Sequence, residues 1–224
     1  MKNKNVFIAC DSSNIGKIRE IIKKTQNSYI NVGYKFGLEF LNSKNRRFFL
    51  SKLKKKIIFA DLKLNDIPNT CVSTIRALKD LNINYLTIHI SSGIEALKAI
   101  KKNSGKIKIV GVTTLTSLNN KNLKEIGHTK KIKNLVLHQA KLATKAKLDA
   151  LVCSAHEVKI VRKVFKKEII TPGIRFNLNK NDQKRTMTPK EAFKNGSDCL
   201  VIGRPITKGN INKNIKNLID HLNK

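Results

Sequence analysis

At 224 residues and 40 % hydrophobic composition, the chain has the size and apolar content of one globular domain with a large core, which excludes a disordered polypeptide. No apolar run approaches the roughly 20 residues that cross a bilayer, which excludes a helical membrane span. The formal net charge of +31 invites a nucleic-acid partner, but the 46 Lys and Arg are spread over every segment, with no zinc finger, aromatic-interleaved RNA motif or basic tail, so none is expected.

The first five residues are polar and lead straight into a strand, so no signal peptide and a cytoplasmic location are expected. Residues 6–11 read as that strand, ending on Asp11. Ser13 or Asn14 can cap the helix that follows, whose apolar face includes Ile15, Ile18 and Ile22. Residues 30–36 form a second strand with Lys35 near its end. Residues 38–53 read as one helix with Leu41, Phe48, Phe49 and Leu53 toward the core. The apolar run 57–60 is the third strand, and it runs out on Asp61 and Lys63, with Asp66 three residues on. Pro68 then opens a helix to about Leu81, at a position where its missing N–H costs nothing.

Residues 85–89 are the fourth strand, and its helix starts near Gly93 and stops before Gly105. Residues 107–113 are the fifth. Residues 117–133 are polar and lysine-rich, with room for a short helix; 135–147 is helical. Residues 150–153 and 169–171 are the sixth and seventh strands, separated by a helix over 156–167. A polar loop over 175–188 lacks periodicity. Pro189 opens a short helix that ends at Gly196. Residues 199–202 are the eighth strand, followed by Gly203-Arg204-Pro205 and a last helix to about His221.

Strands alternating with helices in this way predict an α/β fold, a single (β/α)8 TIM barrel over residues 1–224. The alternative is an open doubly wound sheet, and the first strand lacks the Gly-x-Gly-x-x-Gly of its dinucleotide-binding version. The four cysteines, Cys10, Cys71, Cys153 and Cys199, form no Cys-x-x-Cys pair and read as buried thiols in a reducing compartment.

In a barrel the chemistry sits at the C-terminal strand ends. Reading those ends gives Asp11, Lys35, Asp61, Lys63, His89, Thr113, Arg175 and Arg204. Acids are scarce, 15 against 46 bases, so two carboxylates flanking Lys63 stand out. They admit two readings: a structural ion pair at the barrel rim, or a lysine held charged and poised to give a proton to carbon. A magnesium site on Asp11, Asp61 and Asp66 is a third possibility, opposed by Lys35 and Lys63, whose ammonium groups already neutralise those acids. The Gly203-Arg204 turn after the eighth strand offers an anion a close backbone and a bidentate fork. His89 reads equally as a core histidine or a ligand contact. His128, His138, His156 and His221 read as surface or packing residues.

The run Asp61-Leu62-Lys63-Leu64-Asn65-Asp66-Ile67-Pro68-Asn69-Thr70 closely resembles the signature of the orotidine 5'-phosphate decarboxylase family. Thr171-Pro172-Gly173-Ile174-Arg175, Asn181-Asp182-Gln183 with Arg185, Thr188-Pro189, and Val201-Ile202-Gly203-Arg204-Pro205-Ile206-Thr207 resemble it as well. So do Val112-Thr113-Thr114-Leu115-Thr116-Ser117 and Val152-Cys153-Ser154-Ala155-His156-Glu157. The resemblance implies a dimeric barrel that converts orotidine 5'-phosphate to uridine 5'-phosphate in de novo pyrimidine biosynthesis with no cofactor and no metal. It implies an alternating array of Lys35, Asp61, Lys63 and the partner subunit's Asp66, with Lys63 protonating C6. The whole run from Asp61 to Thr70 would lie along the substrate. Asp11 and Lys35 would contact the ribose, and Thr116 the pyrimidine. Arg175, Gln183, Gly203 and Arg204 would hold the phosphate. A magnesium-dependent sugar-phosphate enzyme of the same superfamily is the nearest alternative; a nucleic-acid-binding protein and a catalytically silent barrel are more distant ones.

Overall fold

The structure, a computed structural model, describes residues 4–27, 29–176 and 186–223. Across them eight parallel strands close into a barrel, each pairing with the next and the last returning to the first. The strands are β1 (Asn5–Ala9), β2 (Asn31–Phe36), β3 (Ile57–Leu64), β4 (Tyr85–His89), β5 (Lys108–Val112), β6 (Ala150–Val152), β7 (Glu168–Thr171) and β8 (Cys199–Ile202). Their near-continuous apolar runs follow from burial on both faces: the barrel interior on one side, a helical layer on the other.

The outer layer begins with α1 (Ile15–Lys24), capped by the Asn14 side chain accepting from the Lys17 N–H, with Ile18, Ile21 and Ile22 buried. After β2 come α2 (Leu38–Leu41) and α3 (Arg46–Lys52), after β3 α4 (Pro68–Ala77), and after β4 α5 (Gly93–Asn103). Then α6 (Asn120–Glu125) and α7 (Ile132–Lys145) follow β5, and α8 (Val158–Val164) follows β6. Finally α9 (Pro189–Lys194) precedes β8, and α10 (Arg204–Thr207) and α11 (Ile211–Asn223) come after it. Among the described residues no helix is long and apolar enough to cross a membrane.

The expected helix over 38–53 is two helices. Asn45 takes a left-handed backbone, φ 62°, at the end of Ser43-Lys44-Asn45, polar residues that compete with helical hydrogen bonding. The restart resets the phase of the apolar face. Phe49 and Leu50 turn inward, and Phe48, expected in the core, is 68 % exposed. The helix expected over 156–167 is shorter, because Phe165 already has an extended backbone. Residues 117–133 do contain a short helix, α6, set by a reciprocal capping box between Asn119 and Asn122.

Inside the barrel, the end opposite the strand termini is filled by aromatic side chains. Phe7 meets Phe59 and Tyr85 edge-on, with centroids 4.9 and 5.1 Å apart. Gly33 on β2 makes room for Phe7: a Cβ there would lie 2.5 Å from the ring. This plug leaves the other half of the interior open at the C-terminal ends of the strands.

Candidate active site

A cavity of about 530 Å³ opens there. Its floor is a row of charges contributed by consecutive strand ends. Lys35 on β2 donates to Asp11 Oδ1 at 3.1 Å and pairs with Asp61 Oδ2 at 3.1 Å; Lys63 donates to the same Asp61 oxygen at 2.7 Å. The order is Asp11, Lys35, Asp61, Lys63, with signs alternating. Lys35 and Asp61 are buried and Lys63 is a third exposed at its side chain. Burial alone would raise the Asp61 pKa, but the Lys35 and Lys63 ammonium groups outweigh it and hold the carboxyl below the usual range. Burial would lower that of Lys35, but Asp61 and Asp11 outweigh it and push it up. Both groups are therefore ionised near neutrality. Taking ions out of water is costly even when they are paired, so a buried row of this kind is better explained by chemistry than by stability.

Two backbone features set the row in place. Phe59, Asp61 and Lys63 all line the cavity, yet β3 does not reach Lys63 as a regular strand. Its register with β4 slips between Ala60, opposite Leu86, and Leu64, opposite Ile88, so three residues face the single Thr87. Lys63 sits in this bulge with φ 49°, a left-handed conformation costing a side-chain-bearing residue about 1–2 kcal/mol. The second feature is Gly37, just past β2. A Cβ on it would stand 2.4 Å from Asp11 Oδ1 and 3.4 Å from Lys35 Nζ. A side chain at position 37 would push Asp11 off the row.

The side of the cavity formed after β7, β8 and β1 is cationic. Arg175, Gly203 and Arg204 line it, joined by Lys17, Thr207 and Lys208. Arg175 is fixed by its N–H donating to the Met187 carbonyl at 3.1 Å, with Met187 N–H donating back to Gly173 at 3.3 Å. Thr116 lies on the β5 side of the same cavity, beside Thr113, whose hydroxyl is turned into the Val152 carbonyl. Gln183 and Arg185 lie outside the described residues.

The structure does not bring the rest of the 61–70 run to the cavity of its own chain. Leu62 and Leu64 pack outward against the barrel–helix core. The Asn65 side chain accepts from Ser92 at 3.0 Å. Asp66 is exposed, and its Oδ1 accepts from the Ile67 N–H at 2.7 Å. Ile67 caps α4, Pro68 opens it, and Asn69 and Thr70 face solvent on its first turn. His89 is half-buried beside the row without lining the cavity; burial, then the Lys63 charge, lowers its pKa. Among the described residues no three His, Cys, Asp or Glu side chains are grouped as metal ligands. The nearby Cys10 thiol is pushed up to about 12, chiefly by burial and then by Asp11, and stays protonated.

Sequence reading did not single out Thr87, Gly37, Lys17 or Lys208, and took Thr207 only as the end of a motif. A signal existed for the first: Thr87 is a polar residue mid-strand in an apolar run, on the same face as the strand-end His89.

The model of the orotidine 5'-phosphate decarboxylase / HUMPS family matches residues 4–214. A protein of Wolbachia pipientis (subsp. Culex pipiens, strain wPip) named orotidine 5'-phosphate decarboxylase is 49 % identical over 179 residues, 78 % of this chain and 79 % of its own. The protein of that name from Wigglesworthia glossinidia brevipalpis is 42 % identical over 93 % of this chain and 92 % of its own. The crystal structure of orotidine 5'-phosphate decarboxylase from Lactobacillus acidophilus superposes with a TM-score of 0.83 at 30 % identity, covering 99 % of this chain and 100 % of that one. With a family match along nearly its whole length and relatives this similar, the chain belongs to the orotidine 5'-phosphate decarboxylase / HUMPS family.

Proposed function

We propose that this chain converts orotidine 5'-phosphate to uridine 5'-phosphate, the decarboxylation step of de novo pyrimidine biosynthesis. The observation that carries the reading is the alternating row Asp11, Lys35, Asp61, Lys63, with a carboxylate clamped between two ammonium groups at the floor of a cavity with a cationic side.

The chemistry asks for such a floor. The C6–carboxylate bond breaks, its electron pair stays on C6, and CO₂ leaves. The pyrimidine ring delocalises that pair poorly, so a cation at C6 lowers the barrier as charge develops. Lys63 is that cation: its ammonium N–H bond breaks as C6–H forms, and solvent returns the proton afterwards. Asp61 holds the Lys63 ammonium at 2.7 Å. Asp11 and Lys35 bind the ribose hydroxyls. Arg175, Gly203 and Arg204 take the phosphate, with Gln183 completing that site and Thr116 next to the ring. Binding energy from this remote phosphate is available to the reacting carbon. No cofactor enters the scheme.

The active unit in this reading is a homodimer. Asp66 is exposed, does not line its own cavity and sits beside Ile67, 65 % exposed, while Leu38, the first residue of α2, is 49 % exposed. A two-fold partner covering these apolar residues would bring the partner's Asp66 to the end of the row, and with it the rest of the 61–70 run. The whole chain acts as one barrel domain, and its four buried free thiols suit the cytoplasm.

The test is loss of orotidine 5'-phosphate absorbance on adding purified protein with a chelator present. Conversion under those conditions is the expected result. No conversion with or without the chelator refutes the assignment, and conversion abolished by the chelator would refute the metal-free scheme.

A further inference from the structure

We infer that Thr87 is a positioning residue for Lys63: its one hydroxyl closes the β3 bulge and fixes both the lysine backbone and the carboxylate that holds the lysine's ammonium. This rests on the reading of Lys63 as proton donor. Thr87 is buried, 1 % exposed, in the middle of β4. Its hydroxyl accepts from the Lys63 backbone N–H at 2.7 Å and donates to Asp61 Oδ1 at 3.1 Å. A hydroxyl has a single proton, so accepting from an N–H and donating to a carboxylate use it in one consistent sense.

The placement compensates for a defect that the row itself creates. Where three residues of β3 face one of β4, the backbone ladder has no partner for the Lys63 N–H. The Thr87 side chain supplies it. The left-handed φ of 49° at Lys63 persists only where its surroundings over-determine it, and this hydrogen bond is the contact made at that residue's own amide. At Asp61 the division is complete: Oδ2 takes Lys35 and Lys63, while Oδ1 takes Thr87. The carboxylate therefore cannot swing to another rotamer without losing a partner. Removing the hydroxyl leaves the Lys63 amide unsatisfied and takes the donor from Asp61 Oδ1, so the bulge loosens and the ammonium shifts from the position that C6 would occupy. Displacements of this size act on the chemical step more than on affinity, because the phosphate contacts lie at other strand ends.

The experiment measures kcat and KM for the wild type, Thr87→Val and Thr87→Ser, together with deuterium exchange of the peptide spanning residues 61–66. Expected are a fall of about 10- to 100-fold in kcat for Thr87→Val with KM within about threefold, and a Thr87→Ser enzyme within about threefold of wild type in both. Faster exchange of the Lys63 amide should accompany the valine and not the serine. If Thr87→Val is insoluble, Thr87→Ala carries the same expectations, since it removes the hydroxyl without adding a methyl against Asp61. Equal losses in the hydroxyl-bearing and hydroxyl-lacking variants, a loss confined to KM, or unchanged exchange at Lys63 overturns the inference. A wild type that does not decarboxylate orotidine 5'-phosphate refutes the functional reading instead, and the exchange experiment then still decides whether Thr87 holds Lys63.

Discussion

The two ends of the barrel interior hold similar groups and use them differently. At one end Tyr85, Lys108 and Glu168, each the first residue of its strand, form a closed polar cluster. The Lys108 ammonium donates to the Tyr85 hydroxyl at 3.0 Å and to Glu168 at 3.2 Å, and the Tyr85 hydroxyl donates to Glu168 at 3.1 Å. At the other end Asp11, Lys35, Asp61 and Lys63 form an open row. The first cluster sits on regular backbone, with Tyr85 and Lys108 directly paired in register. The second requires a bulge, a left-handed lysine and a glycine with no room for a Cβ. Regular strands suffice to close a barrel end with paired charges; backbone irregularity appears where charged atoms must be held against an empty cavity. In the proposed reading, the difference separates an end that stabilises from an end that reacts.

Lys63→Ala should break the comparison hardest. If Lys63 is the general acid as proposed, its removal is expected to lower kcat at least hundredfold, to the limit of detection, with circular dichroism and thermal midpoint near wild type. Retention of more than about a tenth of wild-type kcat, a loss below roughly 1.4 kcal/mol, would rule out Lys63 as proton donor. Next in size is Arg204→Ala on the cationic wall. Losing a charge-assisted contact to phosphate should reduce kcat/KM by about 10- to 100-fold, and the same change should cost little with orotidine, which has no phosphate. An equal loss with both substrates would place Arg204's role elsewhere.

Gly37→Ala sharpens the contrast without touching a charged residue. Its methyl would meet Asp11 Oδ1 at 2.4 Å, so Asp11 has to move and Lys35 loses one of its two carboxylates. A fall of about tenfold in kcat/KM is expected from this misplacement. A variant indistinguishable from wild type in steady-state kinetics would show that Asp11 can leave the row at no cost. A smaller signal tests the dimer. Mixing inactive Lys63→Ala chains with inactive Asp66→Ala chains, with exchange confirmed by mass spectrometry, should restore about a quarter of wild-type activity. Half the dimers are then mixed, and one of their two sites carries neither lesion. No recovery would mean that Asp66 serves its own chain.

Much of this contrast is legible in the sequence, and the parts that are not have a common cause. Alternating apolar runs give the strands because both faces of each are buried, and Asp61 and Lys63, two apart, are expected to share a face as in a regular strand; they do meet, but by way of a bulge. The bulge between them and β4 is a property of two strands together, so neither strand's own pattern carries it. Thr87 stands out in its strand as a polar residue, but what it does appears only as the answer to that bulge. Gly37 is one of 11 glycines, and only the distance to Asp11 distinguishes it. The break at Asn45 was hidden for the opposite reason: an apolar periodicity running through 41, 48, 49 and 53 masked a local preference of Ser43-Lys44-Asn45 for a turn, which set Phe48 outside. Asp66 is exposed, with its Oδ1 accepting from the Ile67 N–H, and a part for it in a site belongs to the proposed two-fold dimer alone.

The smallest expected effect on activity lies at the closed end. Tyr85→Phe removes the hydroxyl that Lys108 and Glu168 share and keeps the ring that packs edge-on to Phe7. Burial, the largest influence on it, raises the Tyr85 pKa, so the hydroxyl is protonated at neutral pH and its loss removes a donor and an acceptor without changing charge. Lys108 and Glu168 remain paired at 3.2 Å, and Lys108 is half exposed, so water can replace part of what the hydroxyl gave. A destabilisation of about 1 kcal/mol in urea unfolding is expected, the net worth of one such hydrogen bond. Because Phe59 keeps its aromatic neighbour, the cavity floor should not shift, and kcat/KM should stay within about twofold of wild type. A tenfold fall in kcat without a matching loss of stability would show that the two ends are coupled through the aromatic plug, and the division between a stabilising and a reacting end would have to be abandoned.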